Sequence, residues 1–183
     1  TYVDRCLQKT DDIRRLTDRM FEYALVYDTS EPEQIQLIPF SLSRLLELFR
    51  EQMDFLELAG FHTDIFFSDD DTSDITTPDA LTIQADPELC KRILNNLFSN
   101  ILKYGSKQET VTLSMQLTPE SDGDAALCLV LKNTVKPEHS AVESNRIGLK
   151  SSTRNMERMG GRLVVCQTDA FFEVTLSFPV TAP

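Results

Sequence analysis

"DPELCKRILNNLFSNILKYG", Asp86 to Gly105, reads as one helix from both of its ends. Asp86 is a good N-cap, Pro87 suits the first helical position, and Gly105 stands just past the last turn. Between them Leu89, Ile93, Leu97 and Ile101 recur at intervals of four, widened by Leu94, Phe98 and Leu102 into a broad apolar stripe. At about 100° per residue, Asn96, Asn100 and Lys103 fall within roughly 40° of one direction on the polar side. Two carboxamides and an ammonium therefore share a face. A carboxamide oxygen can ligate Mg²⁺ without adding charge, and an ammonium can hold a phosphate. The pattern alone leaves two readings open, a solvated helix face and a Mg²⁺-nucleotide site. Asparagine is a mediocre helix former, so three of them (Asn95, Asn96 and Asn100) weaken the helix without visible gain unless they serve something.

Upstream, residues 2–27 read as a helix with Cys6, Ile13, Leu16, Met20, Tyr23 and Tyr27 as a coiled-coil-like seam that needs a partner helix. A polar linker, Asp28 to Pro32, follows. Ile35–Phe40 reads as a strand, and Ser41 caps a helix to about Ala59 whose stripe is Leu42, Leu45, Phe49, Met53 and Leu56. Gly60 ends it. Strands are expected at Phe61–Phe67 and Leu81–Ala85, around an acidic loop, Ser68 to Pro78, whose Asp69–Asp71 run reads as a solvated turn. Downstream come strands at Thr110–Leu117 and Ala125–Lys132, a polar loop over 133–147, a helix over 148–159 ended by Gly160-Gly161, and a hairpin of Arg162–Gln167 and Phe171–Phe178. Helices interleaved with antiparallel strand pairs give an α+β two-layer α/β sandwich with a mixed, mostly antiparallel sheet, preceded by one long N-terminal helix.

The 183 residues suffice for one full core. With 18 Lys+Arg against 29 Asp+Glu, the net charge of −11 argues against nucleic acid or an anionic membrane as partner. The longest apolar run, Ala125–Leu131, is far short of a membrane span. No signal peptide opens the chain. The four cysteines, 6, 90, 128 and 166, form no C-x-x-C pair and read as small buried hydrophobes in a reducing compartment. His62 and His139 lack metal-ligand spacing. The chain starts at Thr1, inside a helical pattern, so a segment of a longer protein is expected.

A second informative stretch is "NRIGLKSSTRNMERMGG", Asn145 to Gly161. Gly148 stands at a loop-to-helix junction, where backbone N–H groups can approach an anion, with Ser151 and Ser152 in the first turn. An ordinary helix start is equally open.

Together these stretches resemble the catalytic ATP-binding domain of sensor histidine kinases, in the Bergerat-fold ATPase superfamily. Asp86 to Gly105 resembles that family's N box, with Asn96 and Asn100 at its two asparagines and Lys103-Tyr104 at its Lys-Tyr pair; Ile101 replaces an alanine. "RIGLKSSTRNMERMGGRLVV", Arg146 to Val165, is similar to the second glycine box and its helix, and "FFEVTLSFP", Phe171 to Pro179, to the closing strand. Residues 1–29, through "IRRLTDRMFEYALVYD", are similar to the second helix of the dimerisation and phosphotransfer hairpin, leaving 30–183 as the ATP-binding domain.

The resemblance implies transfer of the γ-phosphoryl of Mg²⁺-ATP to a histidine outside this fragment, since neither His62 nor His139 stands in a phosphoacceptor motif. It implies Asn100 on Mg²⁺, Asn96 by the metal or its waters, Lys103 on phosphate and Tyr104 beside the nucleotide. Gly148 and Leu149 would offer amides to the phosphates. Partners would be the phosphoacceptor helix of a homodimer and a response regulator, in the cytoplasmic part of a membrane-anchored bacterial sensor. The first glycine box departs most. Asn133 stands where the family has its adenine-binding Asp, both glycines are missing and the lid is short. A neutral acceptor bonds adenine N6 more weakly than a carboxylate, so weak or dynamic nucleotide binding is expected. Subfamilies with Asn-Thr or Asn-Ser here keep binding open. Arg146 replaces the first glycine of the second box and can reach a phosphate instead. Hydrolytic relatives carry a glutamate base where Asn96 stands. Asn96 cannot take a proton, which favours phosphoryl transfer over hydrolysis. The alternatives are a degenerate scaffold without nucleotide, a Bergerat-fold serine kinase, and a hydrolytic ATPase.

Overall fold

The computed structural model describes residues 9–10, 35–67, 81–119, 125–136 and 147–181. The expected N-terminal helix falls on residues outside this set except for Lys9 and Thr10, which are helical and exposed. The Asp28–Pro32 linker, the acidic loop and most of the 133–147 loop lie outside it too.

Among the described residues from Ile35 onward, three helices and seven strands follow one another as β1 (Ile38–Ser41), α1 (Leu42–Leu58), β2 (His62–Phe67), β3 (Thr82–Ala85), α2 (Pro87–Tyr104), β4 (Thr110–Pro119), β5 (Ala125–Thr134), α3 (Ile147–Arg158), β6 (Arg162–Gln167) and β7 (Phe171–Thr181). The α+β sandwich is therefore as expected. One seven-stranded sheet runs β1-β3-β7-β5-β4-β2, with β6 also on β7. Every pairing is antiparallel except β2 with β4, which the α2 crossover allows to run parallel. Strand β1 is shorter than its apolar run suggests because its partner β3 offers only Thr82–Ala85, while the Gln36 N–H goes instead to Asp86 Oδ2 at 3.0 Å.

The helices cover one face of the sheet. Along β5, Leu127, Leu129 and Leu131 are buried, and they pair with Phe178, Leu176 and Val174 of β7. Val111, Leu113 and Met115 of β4 extend the same layer. At roughly 1.5–3 kcal/mol per fully buried side chain, this layer and the helix stripes above it hold the fold. Phe49 of α1 meets Phe98 of α2 edge to face, with centroids 6.2 Å apart. The opposite sheet face is open and carries Phe66, Lys132 and Val164. Cys166 lies opposite Glu173 on this open side and is exposed, which corrects the expectation that every cysteine is buried. Cys90 is buried and Cys128 half-buried, and Cys6 lies outside the described residues.

Helix ends follow local chemistry. Ser41 Oγ accepts from Arg44 N at 3.3 Å to start α1. Gly60 then takes φ 87°, open only to glycine at little cost, so that Phe61 N reaches Leu56 O at 3.0 Å. Gly160, φ 74°, repeats the device after α3, with Gly161 N on Met156 O at 2.9 Å.

Candidate functional site

Helix α2 is the wall on which the site is built. Asp86 Oδ1 accepts from Glu88 N at 2.9 Å and Leu89 N at 3.2 Å, and Pro87 follows. Leu89, Cys90, Ile93, Leu94, Leu97, Phe98 and Ile101 are all buried, which fixes the rotation of the helix. Burial and then the Asp86 carboxylate push the Cys90 thiol up to about 12, so it stays neutral inside the wall. The rotation leaves Asn96 and Asn100 half-buried on the other side and Lys103 exposed beyond them.

Two separate parts of the chain meet this polar face. The first is α3. Asn96 Nδ2 donates to Ser152 Oγ at 3.3 Å and to Gly148 O at 3.4 Å, across a helix pair packed side by side. Leu149 beside Gly148 is buried. The second is the end of β5, tied to the end of α2 by its backbone. Ser106 N donates to Thr134 O at 2.7 Å, Lys136 N to Tyr104 O at 2.9 Å, and Gly105 bridges Val135. Lys136 Nζ reaches Lys103 O at 3.5 Å. Asn100 lies one turn from each junction.

Asn133 closes β5 on the helix-facing side. It continues the inward row of Leu127, Leu129 and Leu131, and is only 3% exposed. Its Nδ2 donates to Thr134 O at 3.0 Å, whereas its Oδ1 is buried with no hydrogen-bond partner. A buried acceptor left unpaired costs on the order of 1–3 kcal/mol, and such groups accept from a ligand or water.

The structure thus joins Asn96 to Gly148, and joins the Lys103-Tyr104 end of α2 to the strand carrying Asn133. Arg146 lies outside the described residues. Sequence reasoning noted Ser152 only as a first-turn serine and missed its burial and its bond to Asn96, although its place in the stripe Leu149, Ser152, Met156, Met159 marks it as inward-facing. Among the described residues, no group of three or more His, Cys, Asp or Glu side chains could hold a metal. Mg²⁺ does not require one, because it keeps waters and takes phosphate oxygens beside one or two protein ligands. A cavity of ≈ 530 Å³ lies elsewhere, at the start of α2, lined by Ile35, Asp86, Leu89, Arg92 and Arg158 among others, and its described lining includes none of the residues expected to bind metal or nucleotide. Among the described residues, no helix is long and apolar enough to cross a membrane.

No family model matches the chain. It is 24% identical over 178 residues to the sensor histidine kinase YrkQ of Bacillus subtilis (strain 168), an alignment covering 97% of this chain and 37% of that protein. The chain therefore spans well under half the length of that relative. The fold is similar to that of the Acinetobacter baumannii histidine kinase AdeS, with TM-score 0.58 and 12% identity over 94% of this chain and 81% of that one. It is also similar to full-length ShkA in complex with AMPPNP, with TM-score 0.60 and 19% identity over 100% of this chain and 39% of that one. The cytoplasmic segment of the histidine kinase QseC matches with TM-score 0.54 and 14% identity, over 91% and 92% of the two chains.

Proposed function

We propose that this chain, similar in sequence to a sensor histidine kinase and sharing the fold of histidine-kinase cytoplasmic segments, carries an ATP-binding catalytic domain over 30–183. Its reaction is transfer of the γ-phosphoryl of ATP to a histidine on a phosphoacceptor helix outside this fragment. The observation that carries the reading is Asn133 Oδ1, a buried acceptor without a partner at the mouth of α2 and β5. Because Nδ2 is already committed to Thr134 O, residue 133 presents an acceptor only. That selects a base with an exocyclic amino group, as adenine has, and rejects a carbonyl at the same place.

The rest of the polar face matches a triphosphate. Asn100 offers a neutral oxygen for Mg²⁺, and Lys103 offers a cation to the phosphates. Gly148 and Leu149 begin α3, whose first amides lack intrahelical partners and face anions well. Tyr104 flanks the nucleotide. Arg146 remains an expectation for the phosphates. When bound, Mg²⁺ supplies charge neutralisation on the phosphate oxygens. The protein's own part is positioning. Asn96, a carboxamide, cannot take a proton and so offers no base to a water, which leaves the γ-phosphoryl for an external nucleophile. Homodimerisation through the N-terminal helix, and a response regulator as final acceptor, complete the proposal.

The test is calorimetric titration with a non-hydrolysable ATP analogue, with and without Mg²⁺. Binding should require Mg²⁺ and weaken at least about tenfold in Asn100→Ala, the loss of one metal ligand being worth on the order of 1.4 kcal/mol or more. Absence of binding at millimolar ligand would sink the catalytic reading. The missing glycines after Asn133 would then mark a scaffold that keeps the fold without the reaction. An acid-stable phosphoprotein product would point to a serine kinase, and rapid turnover by the fragment alone to a hydrolase.

A further inference from the structure

Helix α3 carries a hydroxyl where its packing calls for a methyl group. Leu149, Ser152, Met156 and Met159 follow spacings of three, four and three, and all are buried, with Ser152 at 0% exposure. A hydroxyl so placed needs a partner, and Asn96 Nδ2 supplies one from 3.3 Å while also reaching Gly148 O at 3.4 Å. Gly148 O can only accept, so the nitrogen of the carboxamide is the group that bonds to it, and the oxygen also lies close to α3, 3.6 Å from where a Cβ of residue 148 would stand. An aspartate or glutamate at 96 has no proton to donate at neutral pH. The contact with Gly148 O thus calls for a hydrogen-bond donor at residue 96 and disfavours an ionised carboxylate there.

Shape does little to fix the spacing of the helices at this point. A Cβ added to Gly148 would meet nothing nearer than Asn96, at 3.6 Å, which is ordinary contact. The hydrogen bonds set the separation where apolar side chains do not interlock. We propose that Ser152 is a positioning residue for the nucleotide phosphates. Through Asn96 it fixes the first turn of α3 on α2, and so fixes how far the Gly148–Leu149 amides stand from the Asn100 carboxamide. This rests on the reading of the α2–α3 face as a nucleotide site.

Threonine and valine at 152 have the same shape and differ by the hydroxyl, so the pair separates hydrogen bonding from packing. In the full chain, Ser152→Thr should retain affinity for the Mg²⁺-bound ATP analogue. Ser152→Val should lose about five- to tenfold, the worth of one hydrogen bond, while adenosine binds both variants equally. A purely structural role would move both ligands and the melting midpoint together. Hydrogen exchange of the peptide spanning 147–156, measured without nucleotide, should be faster in Ser152→Val than in Ser152→Thr. Equal affinity and equal exchange in the two variants would overturn the proposal. A wild-type chain without nucleotide affinity would overturn the phosphate reading alone. The exchange comparison would still decide whether Ser152 fixes α3.

Discussion

Helices α2 and α3 face each other across the candidate site and are held in opposite ways. Helix α2 runs for 18 residues, has a side-chain cap and buries seven apolar side chains. Helix α3 runs for 12, and its buried positions include Ser152 and Asn155 beside Leu149 and Met156. One side of the site is fixed by area removed from water, which is insensitive to small displacements. The other is set by two hydrogen bonds near the outer limit of length, which are sensitive to them. Local opening should therefore begin at α3, while α2 opens only with the whole domain.

The largest expected effect tests the wall. Phe98→Ala removes a ring that is 2% exposed and stacked edge to face on Phe49, and should cost about 3–5 kcal/mol in equilibrium unfolding. A cost below about 1 kcal/mol would mean that α2 is no better anchored than its neighbour. Gly161→Ala strikes the exit of α3, where an added Cβ would lie 2.6 Å from Ser177 O and 2.8 Å from Met156 Cε. The methionine can yield and the backbone oxygen cannot, so a loss of about 1–3 kcal/mol is expected from the same denaturation curves.

The remaining probe is chemical. Cys90 has its thiol raised from an ordinary 9.0 to about 12 in the folded chain. The unfolded chain therefore releases this proton first. Stability is intact below pH 9 and is lost as pH rises from 9 toward 12, by roughly 1.4 kcal/mol per unit. Cys90→Ala should flatten that slope. At neutral pH, iodoacetamide should label exposed Cys166 long before Cys90. Equal labelling rates would show α2 opening as readily as the open sheet face, and the contrast between the helices would fail.

What could be read beforehand divides along similar lines. Helix α2 was legible to its ends because its period, its cap and its terminal glycine all agree. The span of β6 was legible too, but the exposure of Cys166 was not, because an apolar strand does not say which of its faces is covered. The inward place of Asn133 follows from alternation with Leu127, Leu129 and Leu131. Its orphaned oxygen does not, since that depends on what packs above it. Ser152 was noted only as a first-turn serine. Its partner Asn96 is 56 residues away, and no local rule joins residues so far apart.

Strand β7 pairs with β5 along Phe171–Pro179, with β6 along Phe172–Ser177, and with β3 at Val180 and Thr181. It is the last of the described strands in chain order and the hub of the sheet. Until it emerges, β3, β5 and β6 each wait with an unpaired edge, and α2 has only part of a floor. The nascent domain must hold its leucine-rich face exposed through nearly its whole synthesis. A stop codon shortly before residue 171 would yield a sticky polypeptide instead of a smaller domain, a natural client for chaperones that bind exposed apolar segments.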